Sequence, residues 1–433
     1  MQNEPNKQAL RDVTKVVLLS LLPMGIVSAY IYFFGINIPF WDQWETVSLL
    51  MKQHQGTLTL TDLLAQHNEH RPFFPRLIWI ALAELTDYNV KAEQWTNLFI
   101  AGVVFVFFIH RTIRTWKEYN VTVPPALIPL LSLLVFNLGH RESWLQGFQT
   151  VMFLGMACVV VGLFLIGENS RITFVIALVL GIIATYSMVN GLLYWPIGLV
   201  VLFFTASPET KAVRVISWLV CSSLCIGLFF GNWNSTATID TSYLLTHVFE
   251  WPVWILSFLG APVLAFWYVA WIFGILSLGL YILVIRKASK GNLWKPMIPY
   301  LAIAVFVLIT SFLISIGRME FGLRQSTVSR YLTLSVWYWA ALLVLLPLLN
   351  LRPVHVHVLN VSLTVCLVFL TIAGGWVGYI RLHQRILPAY EAVVTGQTIR
   401  DDVLSNLYPT PSTILPRIDF LRENKLSAWS EVR

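Results

Sequence analysis

Charged side chains are scarce in this sequence. Asp, Glu, Lys and Arg make up 12% of its 433 residues, against roughly 25% in a soluble domain. That scarcity excludes a water-soluble globular protein. Cysteine is scarce too. The four present, Cys158, Cys221, Cys225 and Cys366, all lie inside apolar runs. They read as packing residues, which excludes a disulfide framework and a metal-type ligand spacing. No internal repeat and no low-complexity segment interrupts the chain. The formal net charge is +7, but Lys and Arg are scattered singly between apolar runs. Without one basic face, no nucleic-acid partner is expected. The first apolar run, Val16 to Phe34, is followed by no small-residue cleavage site, so it reads as a retained span.

What the chain has in abundance is apolar sequence, at 57% of its residues. Runs of about 18 residues or more recur along it, each long enough for a hydrocarbon core of about 30 Å. The eighteen Trp and fifteen Tyr gather near the ends of those runs, at the level that amphipathic rings prefer. The expected fold class is all-α, a polytopic transmembrane helical protein of about eleven spans. These lie at approximately 16–35, 95–111, 124–139, 148–167, 171–189, 191–206, 214–231, 264–285, 297–316, 331–350 and 358–380.

Lys7, Arg11 and Lys15 precede the first span, which places the N-terminus in the cytoplasm. Alternate connections then carry Arg111, Arg114 and Lys117; Arg171; Lys211 and Arg214; Arg286, Lys287, Lys290 and Lys295; and Arg352. The segment Pro72 to Leu85 is apolar but only about fourteen residues long, the length of an interfacial or re-entrant helix. If it crossed, every later loop would change sides. Residues 36–94 are therefore read as one long external loop, with 73–86 lying in or on the membrane. Residues 1–380 form the transmembrane domain. Residues 381–433, broken by Pro388, Pro409, Pro411 and Pro416, form a short external C-terminal segment expected to pack on the loops.

The external loops concentrate the unusual polar residues. Trp41-Asp42-Gln43-Trp44-Glu45 follows the first span, then His67-Asn68-Glu69-His70-Arg71-Pro72. Later loops bring Arg141, Glu142, Gln146 and Gln149, the turn Asn190-Gly191, then Arg318, Glu320, Arg324 and Ser329-Arg330-Tyr331. Each group has a plainer reading. Asp42 and Glu45 suit the first turn of a helix. His67 and His70 are spaced for a divalent metal ion on a helix, or are solvated loop residues. Arg318, Arg324 and Arg330 suit headgroup anchors, and Arg141 and Glu142 a local pair. Trp251, Trp254, Trp267 and Trp271 read as interface anchors before a sugar platform. Together, however, a carboxylate that can take a proton from a hydroxyl and guanidiniums that grip phosphate oxygens suit attack on a carbon whose leaving group is a phosphate.

In this plan the chain resembles the GT-C class of integral-membrane glycosyltransferases. The shared features are a cytoplasmic N-terminus, one span, a long external loop with an acidic residue near its start, interfacial helices in that loop, and many later spans. Trp41-Asp42-Gln43-Trp44-Glu45 occupies the acidic position, and His70-Arg71-Pro72-Phe73-Phe74-Pro75-Arg76-Leu77 opens the interfacial helix. Ser329-Arg330-Tyr331 adds a further likeness. Asp42 and Glu45 are not the adjacent pair of many members, and no Trp-Trp-Asp motif or large C-terminal domain is present, which argues against an oligosaccharyltransferase. The resemblance implies a polyprenyl-phosphate sugar donor, an acceptor hydroxyl on a glycan, lipid or protein, and inversion. It implies Asp42, or Glu45, as the base, and Arg71, Arg318, Arg324, Arg330, His67 and His70 around the donor phosphate, with a divalent ion as an optional cofactor. Glu69, Arg141, Glu142, Gln149, Asn190 and Tyr331 would line the substrate site.

Competing readings are a transporter or flippase, a polymerase or ligase of lipid-linked saccharides, and a non-catalytic assembly partner. Transporters place ionisable groups near the bilayer midplane on interrupted helices, whereas these spans carry almost no internal charge. Compactness and the lack of a eukaryotic retention signal at Trp429-Ser430-Glu431-Val432-Arg433 point to a bacterial cytoplasmic membrane.

Overall fold

A backbone in an apolar setting must satisfy its own hydrogen bonds, and long apolar runs do so as helices. The computed structural model describes residues 4–121, 124–168, 170–234, 241–291, 293–395 and 401–430, and no β-strand forms among them. The chain begins with α1 (Glu4–Phe34), then the short helices α2 (Trp44–His54), α3 (Leu60–Leu64) and α4 (Phe73–Thr86). Next come α5 (Val90–Glu118), α6 (Leu127–Val135), α7 (Arg141–Leu145), α8 (Thr150–Ile166), α9 (Arg171–Thr185), α10 (Tyr194–Thr205) and α11 (Pro208–Phe230). After α12 (Thr241–Thr246) and α13 (Glu250–Gly260) come α14 (Trp267–Gly291), α15 (Trp294–Arg318), α16 (Ser329–Leu345) and α17 (Pro353–Arg381). The chain closes with α18 (Leu387–Thr395), α19 (Asp401–Leu404) and α20 (Pro411–Glu423).

Local chemistry sets the boundaries. Asn89 caps α5 through Lys91 N–H at 3.1 Å, and Pro208 opens α11, where a missing N–H costs nothing. At the end of α4, Asp87 and Tyr88 both adopt left-handed backbone, with φ of 51° and 54°, which reverses the chain into α5.

Among the described residues, eight helices are long and apolar enough to cross a membrane, by length and composition, which marks the chain as a membrane protein. Each of the eleven predicted spans falls on a helix. Three of those helices are short: Leu127–Val135, Arg171–Thr185 and the stretch Val189–Thr205. The nine residues of α6 rise only about 14 Å, half of the hydrocarbon thickness. Helix α13 was not predicted at all. It pairs with α14 through Gly260 and Gly274, where the two backbones touch with no room for a Cβ.

The main core centres on α16, buried at nearly every position from Tyr331 to Leu345. Trp254, expected at the interface, is instead fully buried beside Phe258 and Tyr331. A second, smaller core joins Ile38, Trp44, Val47 and Tyr88 to Ala389, Leu407, Ile418 and Trp429. Residues 387–395 and 401–430 thus pack over residues 36–90. Ser427 seals that junction, donating its N–H to Asp87 O at 2.8 Å and its hydroxyl to Asn37 O at 3.0 Å.

Candidate functional site

The C-terminal ends of α1, α15 and α17 and the N-terminal ends of α5 and α16 meet at one end of the bundle. There the chain leaves α1 and turns through Trp41, whose φ of 51° is rare for a bulky residue. The next turn is pinned. Gln43 donates its side-chain amide to Glu93 Oε2 at 2.7 Å and accepts from Phe40 N–H at 3.3 Å, while Tyr88 donates to Gln43 O at 3.2 Å. Trp41 N–H donates to Leu407 O at 2.8 Å. Asp42 is held between these anchors.

Asp42 lines a cavity of about 280 Å³ together with Arg141, Glu142, Arg330 and Arg381. Tyr30, Phe34, Ile38 and Leu382 supply an apolar wall. Burial pushes the Asp42 carboxyl above its ordinary range, His67, Arg330 and Arg318 pull it back, and Glu45 adds to the rise. Arg381 Nη1 donates to Glu142 Oε1 at 2.7 Å, and its guanidinium lies 5.1 Å from the centre of the Phe40 ring. Among the described residues Arg141 and Arg330 have no hydrogen-bond or carboxylate partner, and Arg141 Nε is shielded from solvent as well. At the cavity wall the Tyr30 hydroxyl is buried and unpartnered, lodged where Gly378 has no Cβ. Guanidiniums such as Arg141 and Arg330, with their hydrogen-bond donors uncommitted beside a carboxylate and an apolar wall, can bind an amphiphile with an anionic head.

His67 stands just behind Asp42, with Nε2 3.8 Å from Oδ1. Its ring packs 4.9 Å from Phe148, which stacks on Trp79. Reciprocal backbone bonds of 2.9 Å between His67 and His70 fix the turn that carries it. Burial pushes the His67 imidazole below its ordinary range, with Asp42 and Glu45 opposing. His70 is half-buried, desolvation pushes its imidazole down to about 4, and its Nδ1 accepts from Val189 N–H at 3.0 Å. One ring nitrogen of His70 is therefore committed to backbone. Among the described residues no three His, Cys, Asp or Glu side chains gather as a metal group would need.

Of the residues singled out in the sequence, Trp41, Asp42, Arg141, Glu142, Gln146 and Arg330 share the cavity, and the other candidate site residues do not line it. Glu45 faces α20, where Arg417 Nη1 reaches it at 3.1 Å, and Tyr408, before that helix, donates to it at 3.5 Å. Arg71 is buried and gives its donors to three backbone carbonyls, Phe229 at 2.7 Å, Leu64 at 2.9 Å and Gly231 at 2.6 Å. Arg318 lies over Phe321 within electrostatic reach of Asp42, and Arg324 sits in the short helical turn Leu323–Thr327. Gln149 donates to Gln146, itself on the cavity wall. Asn190 is buried beside the Val189 amide that His70 receives, Tyr331 is buried against Phe258, and Glu69 stays in the His67–His70 turn.

Sequence reasoning missed Arg381 and Tyr30. Arg381 follows the predicted span 358–380 directly, where a cation reads as a headgroup anchor. Its carboxylate partner, Glu142, is 239 residues away, so only a weak signal existed, the lone carboxylate in the segment between α6 and α8. Set against protein-family models, curated proteins and solved structures, the chain matches none.

Proposed function

We propose that this protein is a membrane glycosyltransferase that moves a sugar from a polyprenyl-phosphate donor to an acceptor hydroxyl on a glycan, lipid or protein. One observation carries the reading: a single cavity with an apolar wall sets the Asp42 carboxylate among Arg141, Arg330 and Arg381. The apolar wall suits a lipid chain, the guanidiniums suit its phosphate, and the carboxylate suits the acceptor. Asp42 takes the acceptor proton as the acceptor oxygen bonds to the anomeric carbon. The bond from that carbon to the phosphate oxygen breaks, and its electron pair leaves with the lipid phosphate. Attack opposite the leaving group inverts the carbon. Fixed positive charge at the departing oxygen is commonly the largest catalytic contribution in such a site. The pairing of Glu45 with Arg417 favours Asp42 as the base.

The proposed setting is a bacterial cytoplasmic membrane crossed about eleven times, with the N-terminus cytoplasmic and the cavity on the external face. The test compares lipid-linked sugars and surface glycans by mass spectrometry in cells carrying the intact chain, no chain or Asp42→Asn at equal protein level. The expected result is loss of one sugar from a glycan and accumulation of its polyprenyl-phosphate donor, equally in the deletion and in Asp42→Asn. A profile changed by deletion but not by Asp42→Asn overturns the assignment of the base and favours transport or assembly.

A further inference from the structure

Resting on the reading that the cavity takes a lipid-linked phosphate, we propose that Glu142 sets how much negative charge the cavity accepts. It thereby selects a phosphodiester, with one charge, over a diphosphate diester, with two. The argument begins from the ionic groups of the wall. Arg141, Arg330 and Arg381 face Asp42 and Glu142 there, so three cations against two anions leave one positive charge. Asp42, as the base, must stay ionised to work. Glu142 is the anion with no other use, and it is committed to Arg381 at 2.7 Å, with both side chains about one third exposed or less at 26% and 32%.

That pairing is built into the fold. Glu142 is fixed from its own backbone, since its N–H donates to Ser329 Oγ at 3.2 Å and Ser329 donates to Gly139 O at 2.8 Å. Arg381 is fixed by the Phe40 ring and by the end of α17, after which Leu382–Ile386 forms a π-helical turn that redirects the chain. Such turns are frequent at functional positions. Arg381 is thus near the ligand but half neutralised, while Arg141 and Arg330 keep their full charge. One phosphodiester charge balances the single excess cation. A second charge would stand uncompensated against an apolar wall, where the effective dielectric is low and an unpaired ion is costly.

The test measures binding, without turnover, by the full-length protein in lipid nanodiscs. The probes are farnesyl methyl phosphate and the matching farnesyl methyl diphosphate, titrated by calorimetry. The intact protein should bind the monophosphate at least about tenfold more tightly. Glu142→Gln keeps the shape and removes the charge, so the preference should disappear or reverse. Arg381→Gln leaves Glu142 unopposed, so both probes should weaken and the diphosphate should weaken more. If Glu142 matters only for holding α17, Glu142→Gln weakens both probes equally, and an unchanged ratio overturns the proposal. If Glu142→Gln does not yield folded protein, Arg381→Gln decides by the same ratio, and equal weakening there overturns it. An intact protein that binds the monophosphate without discrimination overturns only the selection by Glu142. One that binds neither probe overturns the phosphate reading itself.

Discussion

Two neighbouring glycines in α17 make a matched pair. A Cβ on Gly374 would stand 2.5 Å from the Leu138 carbonyl carbon and 3.1 Å from Gly139 N, and closer still to the Leu138 oxygen. Carbon atoms normally rest at about 3.5–4.0 Å, so α17 or the Leu138 turn must move by roughly 1 Å. Both sides of the contact are backbone, and no rotamer change can relieve it. Forced expansion of a packed interface costs about 1–3 kcal/mol, and this one belongs at the upper end. The same shift strains the Asn137 side chain, which donates to Leu367 O and Thr371 Oγ1 at 2.8 Å each. It also carries Arg381, two turns further along, out of register with Glu142, and a displacement of about 1 Å can cost about 100-fold in rate. On Gly375 the added Cβ meets only Leu138 Cδ1 at 3.3 Å, the tip of a flexible side chain. Alanine there should gain up to about 1 kcal/mol in helix propensity. Thermal unfolding of both variants in one detergent, with the sugar-transfer assay alongside, separates them. Gly374→Ala should melt well below the intact protein and lose transfer, and Gly375→Ala should match or exceed it. Equal melting points for the two would refute the close approach of α17 to the Leu138 turn.

Other outcomes follow from single contacts. Because burial raises the Asp42 carboxyl above its ordinary range, its ionised form is lost at a higher pH than for a free aspartate, and transfer should fall on that acid limb. His67→Gln removes the strongest attraction opposing the rise, so the limb should move to still higher pH; a pH–rate profile that stays in place would dissociate His67 from Asp42. Arg71→Ala abandons one buried and two part-buried carbonyls and should cost roughly 3 kcal/mol, seen as a lower melting point, while leaving the phosphate-probe affinity of the surviving folded fraction intact. Arg417→Ala removes a largely buried partner of the more exposed Glu45 and should cost roughly 1 kcal/mol, with transfer retained; a loss of transfer would return Glu45 to the reaction.

The helices were legible because apolar content over a long window is a bulk property that no distant residue alters. Phe73–Thr86 is an example, a fourteen-residue apolar stretch between Pro72 and the left-handed pair Asp87–Tyr88 that forms a helix of that length. The number of membrane-length helices was less legible. Leu127–Val135 has the composition of a span, but the chain departs from helix at Phe136 and turns at Leu138. At the site, Asp42 and Arg330 stood out as charges next to span ends. Arg71 stood out equally and proved to be a backbone clamp, because nothing local distinguishes a guanidinium that reaches carbonyls 158 residues away from one facing a cavity. Arg381 was passed over for the converse reason. Its meaning lies in Glu142, which the chain brings alongside only when α17 docks on the Leu138 turn.

The small second core has a temporal consequence. Asn37 and Ser427, bonded across that core, are separated by 390 positions. At a synthesis rate of about 5–20 residues per second, roughly 20–80 s pass between making the first and the second. Throughout that interval Ile38, Trp44 and Val47 lack the covering side chains of Ile418 and Trp429. The turn bearing Asp42 lacks the Leu407 carbonyl that anchors Trp41. The cavity therefore acquires its final shape only as the late segment settles on the early one. A ribosome stalled before residue 401 would leave a nascent chain with every membrane-length helix made and an unfinished, sticky cap, which is the form a chaperone or protease would meet.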